Sequence, residues 1–193
     1  LITLLVETEI DGEPLDRRHL LGTCFLLLLA GIDTTWSAIG SSLWHLATHP
    51  EDQARLRAEP DLIDSAVEEL LRVYSPVTMA REVIADVDVA GCPMKPGDKV
   101  LMSFPAANRD PAQFENPDEF IIDRERNRHV AFGSGIHRCL GSNLARMELR
   151  VAIQEWLTRI PTFELADPAA VTWTGGQVRG PRTIPVRWSA TQP

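Results

Sequence analysis

The chain has 193 residues, of which 44% are hydrophobic and 24% are charged, so it holds enough apolar material for a core and is not disordered. Acidic residues exceed basic ones by 27 to 19, and the net charge of −8 argues against a general binder of nucleic acids or anionic membranes. The three cysteines, Cys24, Cys92 and Cys139, are too few and too scattered for a disulfide framework and indicate a reducing cytoplasm.

A long helix is the first large element that the sequence predicts. Asp11-Gly12 with Pro14 predicts a turn, and the helix follows from about Leu15 to Thr48, where His49-Pro50 ends it. Most of its faces are apolar, which is typical of a helix buried inside a sizeable protein. Its most apolar stretch, Leu20 to Ile32, is too short to span a bilayer, and no charged segment of a signal peptide precedes it.

The middle of the chain predicts two helices followed by strands. The helices run from about Glu51 to Ala58 and from Leu62 to Val73. The segments Arg81 to Val89 and Lys99 to Phe104 are rich in β-formers, and the turns between them predict a small antiparallel sheet.

The remainder combines irregular segments with one more helix. Residues 106–127 predict a functional meander, because irregular segments of this length are uncommon inside a domain. A glycine-containing loop then precedes a helix from about Leu140 to Arg159, and Thr162 to Trp188 contains short β-like runs. The predicted fold class is mainly α with a small β region.

The loop from Phe132 to Gly141, with the sequence FGSGIHRCLG, is the most specific segment. Arg138 takes the third glycine position of a dinucleotide-binding motif, no Gly-Lys-Ser/Thr follows, and His137 with Cys139 lacks the second Cys/His pair of a zinc site. What remains is one thiol at the start of a helix, where N–H groups stabilise a thiolate. No base partner can be placed, so a buried iron ligand is favoured over a nucleophile, while a loop cysteine without a function stays an alternative.

This loop resembles the cysteine-ligand loop of the cytochrome P450 haem-thiolate monooxygenases, and three further motifs extend the resemblance. Ala30 to Thr35 is similar to the oxygen-activation motif of the family's long central helix. Glu69-Leu-Leu-Arg72 is similar to its Glu-x-x-Arg helix, and Asn116 to Phe120, followed by Arg124, to its meander. The four motifs occur in the family's order.

The resemblance implies a binding site for haem b. Cys139 matches the thiolate that ligates the iron and favours O–O cleavage, and Phe132 matches the aromatic residue near the sulfur. Arg81 and His137 match partners of the two propionates, which need cationic or donor groups when they are buried. The other positions that match residues against the cofactor are Ala30, Gly31, Gly133, Leu140, Gly141 and Ala145.

Asp33 and Thr34 match the acid and the alcohol that hold O₂ and relay protons to it. An interior salt bridge of Asp33 beside an ordinary threonine is the alternative, because an acid within an apolar helix needs a partner. The resemblance also implies a substrate pocket, although each of its residues could equally be core packing; its members are Leu26, Leu29, Ala30, Val77 and Thr78.

Glu69, Arg72 and Arg124 match a structural network that braces the thiolate loop. Ile121-Ile122 departs from the Asp or Pro that bacterial relatives often have there, which weakens the assignment of Arg124. We hypothesise that Arg138 and Arg146 dock an acidic electron donor. Solvated surface arginines are the alternative.

As a whole, the resemblance implies that residues 1–193 are the C-terminal part of a single haem-thiolate domain, the C-terminal half of the cytochrome P450 fold. It implies a soluble, cytoplasmic bacterial monooxygenase that acts on a small organic substrate with O₂, and that binds neither nucleic acid nor membrane. Electrons would come from NAD(P)H through a flavin and iron–sulfur partner, either separate or fused as in the self-sufficient branch. A peroxide-driven enzyme and a non-catalytic or truncated haem protein are the alternatives. The chain alone is expected to expose apolar surface from Leu26 to Leu29.

Overall fold

The computed structural model describes residues 1–188, which form a mainly α fold with several two-stranded β units. The described part of the chain has three single-turn 3₁₀ helices, Pro60–Leu62, Gly135–His137 and Pro168–Ala170, which connect other elements. The α-helices are α1 (Ile2–Val6), α2 (Arg17–Thr48), α3 (Pro50–Ala58), α4 (Ile63–Val73), α5 (Phe104–Ala107) and α6 (Ser142–Arg159).

Within residues 1–188 the strands pair antiparallel in five separate units: β1 with β2, β3 with β6, β4 with β5, β7 with β10, and β8 with β9. Their bounds are β1 (Glu9–Ile10), β2 (Glu13–Pro14), β3 (Thr78–Glu82), β4 (Val87–Val89), β5 (Cys92–Met94), β6 (Lys99–Ser103), β7 (Phe163–Leu165), β8 (Thr172–Thr174), β9 (Gly180–Thr183) and β10 (Val186–Trp188).

The predicted single sheet after α4 is wrong in its connectivity. Ala90 and Gly91 both have positive φ, 53° and 84°, which closes β4 and β5 into a two-residue hairpin. That hairpin is separate from the β3–β6 pair, in which Thr78 lies opposite Ser103 and Glu82 opposite Lys99. The β-forming residues therefore predicted the strands correctly. The tight turn at Ala90 and Gly91 pairs β4 with β5, which leaves β3 to pair with β6.

A capping side chain and a proline set the two ends of helix α2. The Asp16 side chain caps it by accepting a hydrogen bond from the His19 N–H at 2.8 Å, so it starts two residues after the predicted Leu15. It ends at Thr48, and Pro50 opens α3 two residues later. The C-terminal boundary agrees with the prediction.

Burial divides α2 into two parts. Its buried residues all lie between Ser37 and Ala47, where α3, α4, α6, β7 and β9 pack around it. Leu26 and Leu29 are 62% and 60% exposed, which agrees with the exposure expected for the chain alone. The burial of residues 20–32 inside a larger protein stays a prediction. By length and composition alone, α2 could also cross a membrane.

The core lies between α2, α4 and α6. Helix α4 contributes one apolar face at helical spacing, as predicted, and α6 contributes Leu149, Ile153 and Leu157 at intervals of four. The buried members of the α4 face are Ile63, Ala66, Val67, Leu70 and Leu71. This core fixes α4 beside α6, and the two helices carry most of the polar network described next.

Candidate functional site

The loop from Phe132 to Gly141 is held by a backbone bond across its two sides. The Cys139 N–H donates to the Phe132 carbonyl at 2.8 Å, and Arg138 N–H donates to Gly135 O at 3.1 Å. Gly133 and Gly135 have φ of 69° and 65°, a region that residues with a Cβ rarely adopt. The glycines therefore allow the double turn that presents Cys139.

Cys139 lies on the surface of this chain. Its side chain is exposed, and its neighbours Ile136 and Leu140 are 97% and 88% exposed. The prediction of a buried thiol is therefore wrong for residues 1–188, because none of their elements covers this side of the loop. Gly141 caps α6, which begins at Ser142 rather than at the predicted Leu140, and a Cβ on Gly141 would lie 4.0 Å from the Cys139 sulfur. Ala145 is half-buried within the first turn of α6.

Arg146 connects this loop to α4. Its guanidinium lies 4.6 Å from the centroid of the Phe132 ring and donates to both carboxylate oxygens of Glu68, Nη2 to Oε2 at 2.9 Å. His129 Nε2 contacts the same oxygen at 3.0 Å. The alternative of a fully solvated Arg146 is therefore wrong, whereas Arg138 is exposed.

Glu68 is a site residue that the sequence analysis missed. Burial by itself would raise the pKa of Glu68, but hydrogen bonds from His129 and Arg146 outweigh burial and lower this pKa to about 2. The carboxylate thus stays ionised and fixes Arg146 under the cysteine loop. Its only signal in the sequence is an acidic residue next to Glu69, which does not predict partners 61 and 78 residues away.

Glu69, Arg72 and Arg124 meet in one buried cluster. Arg72 donates to both oxygens of Glu69 at 2.8 Å, and Arg124 Nε lies 3.0 Å from each oxygen. The Ile121 N–H donates to Glu69 at 2.9 Å, and the Ile122 side chain is buried in the core, so Ile121-Ile122 is compatible with Arg124 in this place. Burial would raise the pKa of Glu69, yet these donors lower it.

Arg72 also orders the meander. Its Nη1 donates to the carbonyls of Asn108 and Pro117, and its Nη2 donates to that of Glu119, all within 2.9 Å. One side chain of α4 thus satisfies three backbone carbonyls of this irregular segment.

Asp33 and Thr34, both on α2, form hydrogen bonds with different partners. The Thr34 hydroxyl donates to the Ala30 carbonyl one turn earlier, at 2.7 Å. Asp33 Oδ1 accepts from Nη1 of Arg182 at 2.9 Å, so Asp33 does form a salt bridge, but the pair is partly exposed rather than interior. Its partner comes from β9, 149 residues away, and was not predicted. Ala30 and Gly31 lie exposed on the same helix as Leu26 and Leu29.

Val77 and Thr78 lie beside the turn that joins β8 to β9. Val77 forms a β-bridge with Val178, and the Thr78 N–H donates to the Gln177 carbonyl at 2.9 Å. The Thr78 hydroxyl donates to the Gly176 carbonyl at 3.0 Å. Residues 176–178 therefore lie next to two residues of the predicted pocket, and the sequence analysis did not name them.

The two predicted propionate partners are not in contact with each other. Arg81 is half-buried on β3, and Nη1 donates to the Ala80 carbonyl at 2.9 Å. His137 is exposed at the end of the turn before Cys139. Within residues 1–188, neither side chain forms an ion pair with an acidic residue, so both have donors free for an anionic ligand.

Comparison with known proteins agrees with these observations. The family model described as "Cytochrome P450" matches residues 1–168. Cytochrome P450 105C1 of Streptomyces sp is 47% identical over 189 residues, which is 95% of this chain and 50% of that protein. Probable cytochrome P450 127A1 of Sinorhizobium fredii is 39% identical over 188 residues, 97% of this chain and 45% of that protein.

Solved structures give the same relationship. The crystal structure of cytochrome P450 CYP101C1 superposes with a TM-score of 0.92 at 41% identity, covering 98% of this chain and 49% of that one. Cytochrome P450 PksS of Bacillus subtilis superposes with a TM-score of 0.91 at 42% identity, covering 96% and 49%. The chain thus spans about half the length of the relatives it matches. By its sequence and its fold, the chain belongs to the cytochrome P450 family.

Proposed function

We propose that the protein containing this chain is a haem-dependent monooxygenase that inserts one atom of O₂ into a small organic substrate. The observation that carries the proposal is the exposed Cys139, presented by a glycine double turn and braced through Phe132, Arg146 and Glu68. Haem b, when bound, supplies the iron at which O₂ is activated. We also propose that residues 1–193 belong to one haem-thiolate domain, in its C-terminal part.

The residues present fit this cofactor. Cys139 has an exposed thiol that forms no disulfide and no hydrogen bond with a histidine within residues 1–188, which would suit a bond to the haem iron. The chain also has exposed apolar side chains of the kind that a flat macrocycle would cover, namely Leu26, Leu29, Ile136 and Leu140. Arg81 and His137 would hold the two propionates through charge-assisted hydrogen bonds.

The chain's own residues would contribute positioning and proton transfer. The cationic Arg146, stacked on Phe132 and neutralised by Glu68, would keep the loop rigid so that the sulfur stays in place. The Thr34 hydroxyl donates a hydrogen bond to Ala30 O, so its lone pairs would be free to accept a hydrogen bond from water. Asp33, the residue before Thr34, would bring protons from solvent to the site through its Oδ2 atom.

Partners and location follow from the same proposal. The exposed Arg138 next to Cys139 would receive an acidic electron donor, a flavin or iron–sulfur protein that is reduced by NAD(P)H and is separate or fused. Arg146 would contribute less than expected, because Glu68 already neutralises it. We propose a cytoplasmic location without attachment to membranes, because the similar proteins named above are bacterial and the chain is acidic.

The test is the source of the inserted oxygen. The complete haem-loaded protein, supplied with ¹⁸O₂, NAD(P)H and a bacterial ferredoxin–reductase pair, is expected to put one ¹⁸O atom into the product. Label that enters only from H₂¹⁸O₂ would establish the peroxide-driven alternative. A protein that binds haem but oxidises none of a broad panel of terpenes, macrolides and fatty acids would contradict the proposal and favour a non-catalytic haem protein.

A further inference from the structure

Strand β9 lies against one face of α2 at unusually short range. A Cβ built on Gly180 would lie 2.4 Å from Ser37 Cβ, and one built on Gly40 would lie 3.1 Å from the Pro181 ring. Two glycines, one on each element, therefore leave room for the close packing of the strand on the helix. Ser37 and Gly40 lie four and seven residues after Asp33, on the same face of the helix.

This contact brings Arg182 to Asp33. The guanidinium Nη1 lies 2.9 Å from Asp33 Oδ1, and Nε donates to the Thr174 hydroxyl at 3.1 Å. That hydroxyl in turn donates to the Gly180 carbonyl at 3.2 Å, so β8 and β9 both fix the guanidinium. Asp33 Oδ2 has no hydrogen-bond partner within residues 1–188.

The pair is poorly suited to a purely stabilising role. The two side chains are 37% and 47% exposed, and exposed ion pairs of this kind contribute little to stability. Holding one oxygen of a carboxylate and leaving the other free instead sets the direction in which that carboxylate faces. Thr34, the residue after Asp33, carries the hydroxyl that the proposed proton path reaches next.

We propose that Arg182 is a positioning residue for proton delivery: it holds Asp33 by Oδ1 and leaves Oδ2 to exchange protons with water. This inference rests on the proposed function, because it gives Arg182 a role only through Asp33. It does not make Arg182 a catalytic residue, since the guanidinium contacts Asp33 and Thr174 rather than the reacting atoms.

The test compares Arg182→Gln, Arg182→Lys and Asp33→Asn in the complete haem-loaded protein. Arg182→Gln is expected to lower the product formed per NAD(P)H consumed by about threefold or more, with KM unchanged, because a misdirected carboxylate delivers protons poorly. Arg182→Lys keeps the cation and should recover most of the loss. In the Asp33→Asn background, Arg182→Gln should have no further effect.

Two controls separate this proposal from simpler explanations. Arg187→Gln removes another exposed arginine, which lies on β10 and pairs with Glu164 of β7 at 2.8 Å, and it should leave product yield unchanged. The crystal structure of Arg182→Gln should show the Asp33 carboxylate turned away from the orientation it has in the unmodified protein, a readout independent of activity.

The role of Arg182 is overturned by an unchanged orientation of the Asp33 carboxylate in Arg182→Gln, or by a loss of yield in Arg182→Gln that persists in the Asp33→Asn background. If the unmodified protein itself forms no product, the proposed function fails, and the role of Asp33 fails with it. Unchanged yield in Arg182→Gln of an active protein overturns the role of Arg182 alone.

Discussion

Arg72 and Glu69 form a bidentate ion pair in which neither side chain is exposed to solvent. Nε and Nη2 of Arg72 each lie 2.8 Å from a carboxylate oxygen, and the remaining donors reach three carbonyls of the meander. A buried pair of this kind survives only because nearly every donor and acceptor in it is satisfied. It ties α4 to the segment that precedes the cysteine loop.

Replacing Arg72 by Met should therefore destabilise the protein by about 3–5 kcal/mol, because the Glu69 carboxylate would remain buried with one partner fewer. Arg72→Lys should recover little of this loss, since an ammonium group cannot reproduce the planar fork. Urea unfolding followed by circular dichroism measures both. Arg159→Met, which removes an exposed arginine of α6 paired with Glu155, is the matched control and should cost little. A loss below 1 kcal/mol in Arg72→Met would contradict the account.

Glu68 gives the protein a defined sensitivity to acid. Its pKa is lowered from 4.5 to about 2 in the folded state, so the unfolded chain binds this proton first as the pH falls. The stabilisation is complete above pH 4.5 and is lost as the pH falls towards 2, with a slope of up to about 1.4 kcal/mol per pH unit. Glu68→Gln should reduce this slope between pH 4.5 and 3. An unchanged slope would show that Arg146 and His129 do not hold the carboxylate.

The close approach of β9 to α2 predicts a steric effect at Gly180. Gly180→Ala would place a methyl group 2.8 Å from the Ser37 Cα, and because that atom is backbone, the strand must move away. We expect a loss of about 1–3 kcal/mol in unfolding free energy. Gly175→Ala, in the preceding turn, meets no atom within 4 Å and serves as the control. Equal melting temperatures for the two variants would contradict the packing described here.

Replacing Thr34 is expected to change how much product each NAD(P)H yields rather than how tightly substrate binds. Thr34→Ala removes the hydroxyl that donates to Ala30 O and should lower product per NAD(P)H by about tenfold, with hydrogen peroxide released instead. Thr34→Ser keeps the hydroxyl and should retain most of the yield. Peroxide and product are measured in the same reaction. Equal yields in Thr34→Ala and the unmodified protein would remove the proton-transfer role.

The sequence predicted local features well and long-range partners poorly. The end of α2 follows from His49-Pro50, and the apolar face of α4 follows from its helical spacing. By contrast, Arg182 reaches Asp33 across 149 residues and Arg146 reaches Glu68 across 78, and nothing near either residue encodes these contacts.

The burial of Cys139 was predicted incorrectly for residues 1–188, whereas the exposure of Leu26 and Leu29 in the chain alone was expected. Leu26 and Leu29 are as apolar as core residues, and Cys139 lies in a loop whose motif is clear, yet all three are exposed within residues 1–188. Hydrophobicity indicates which side chains favour burial, whereas the surrounding elements decide which are covered. The exposed groups are those that the proposed function assigns to cofactor and substrate.

The most direct test of the central claim is the absorption spectrum of the reduced protein with carbon monoxide, recorded for the complete haem-loaded protein and for Cys139→Ala. Cys92→Ala, an exposed cysteine at the start of β5, is the matched control. The account predicts the red-shifted band of thiolate-ligated haem in the unmodified protein and in Cys92→Ala, and its loss in Cys139→Ala. The same band in Cys139→Ala would contradict the assignment of Cys139 as the iron ligand.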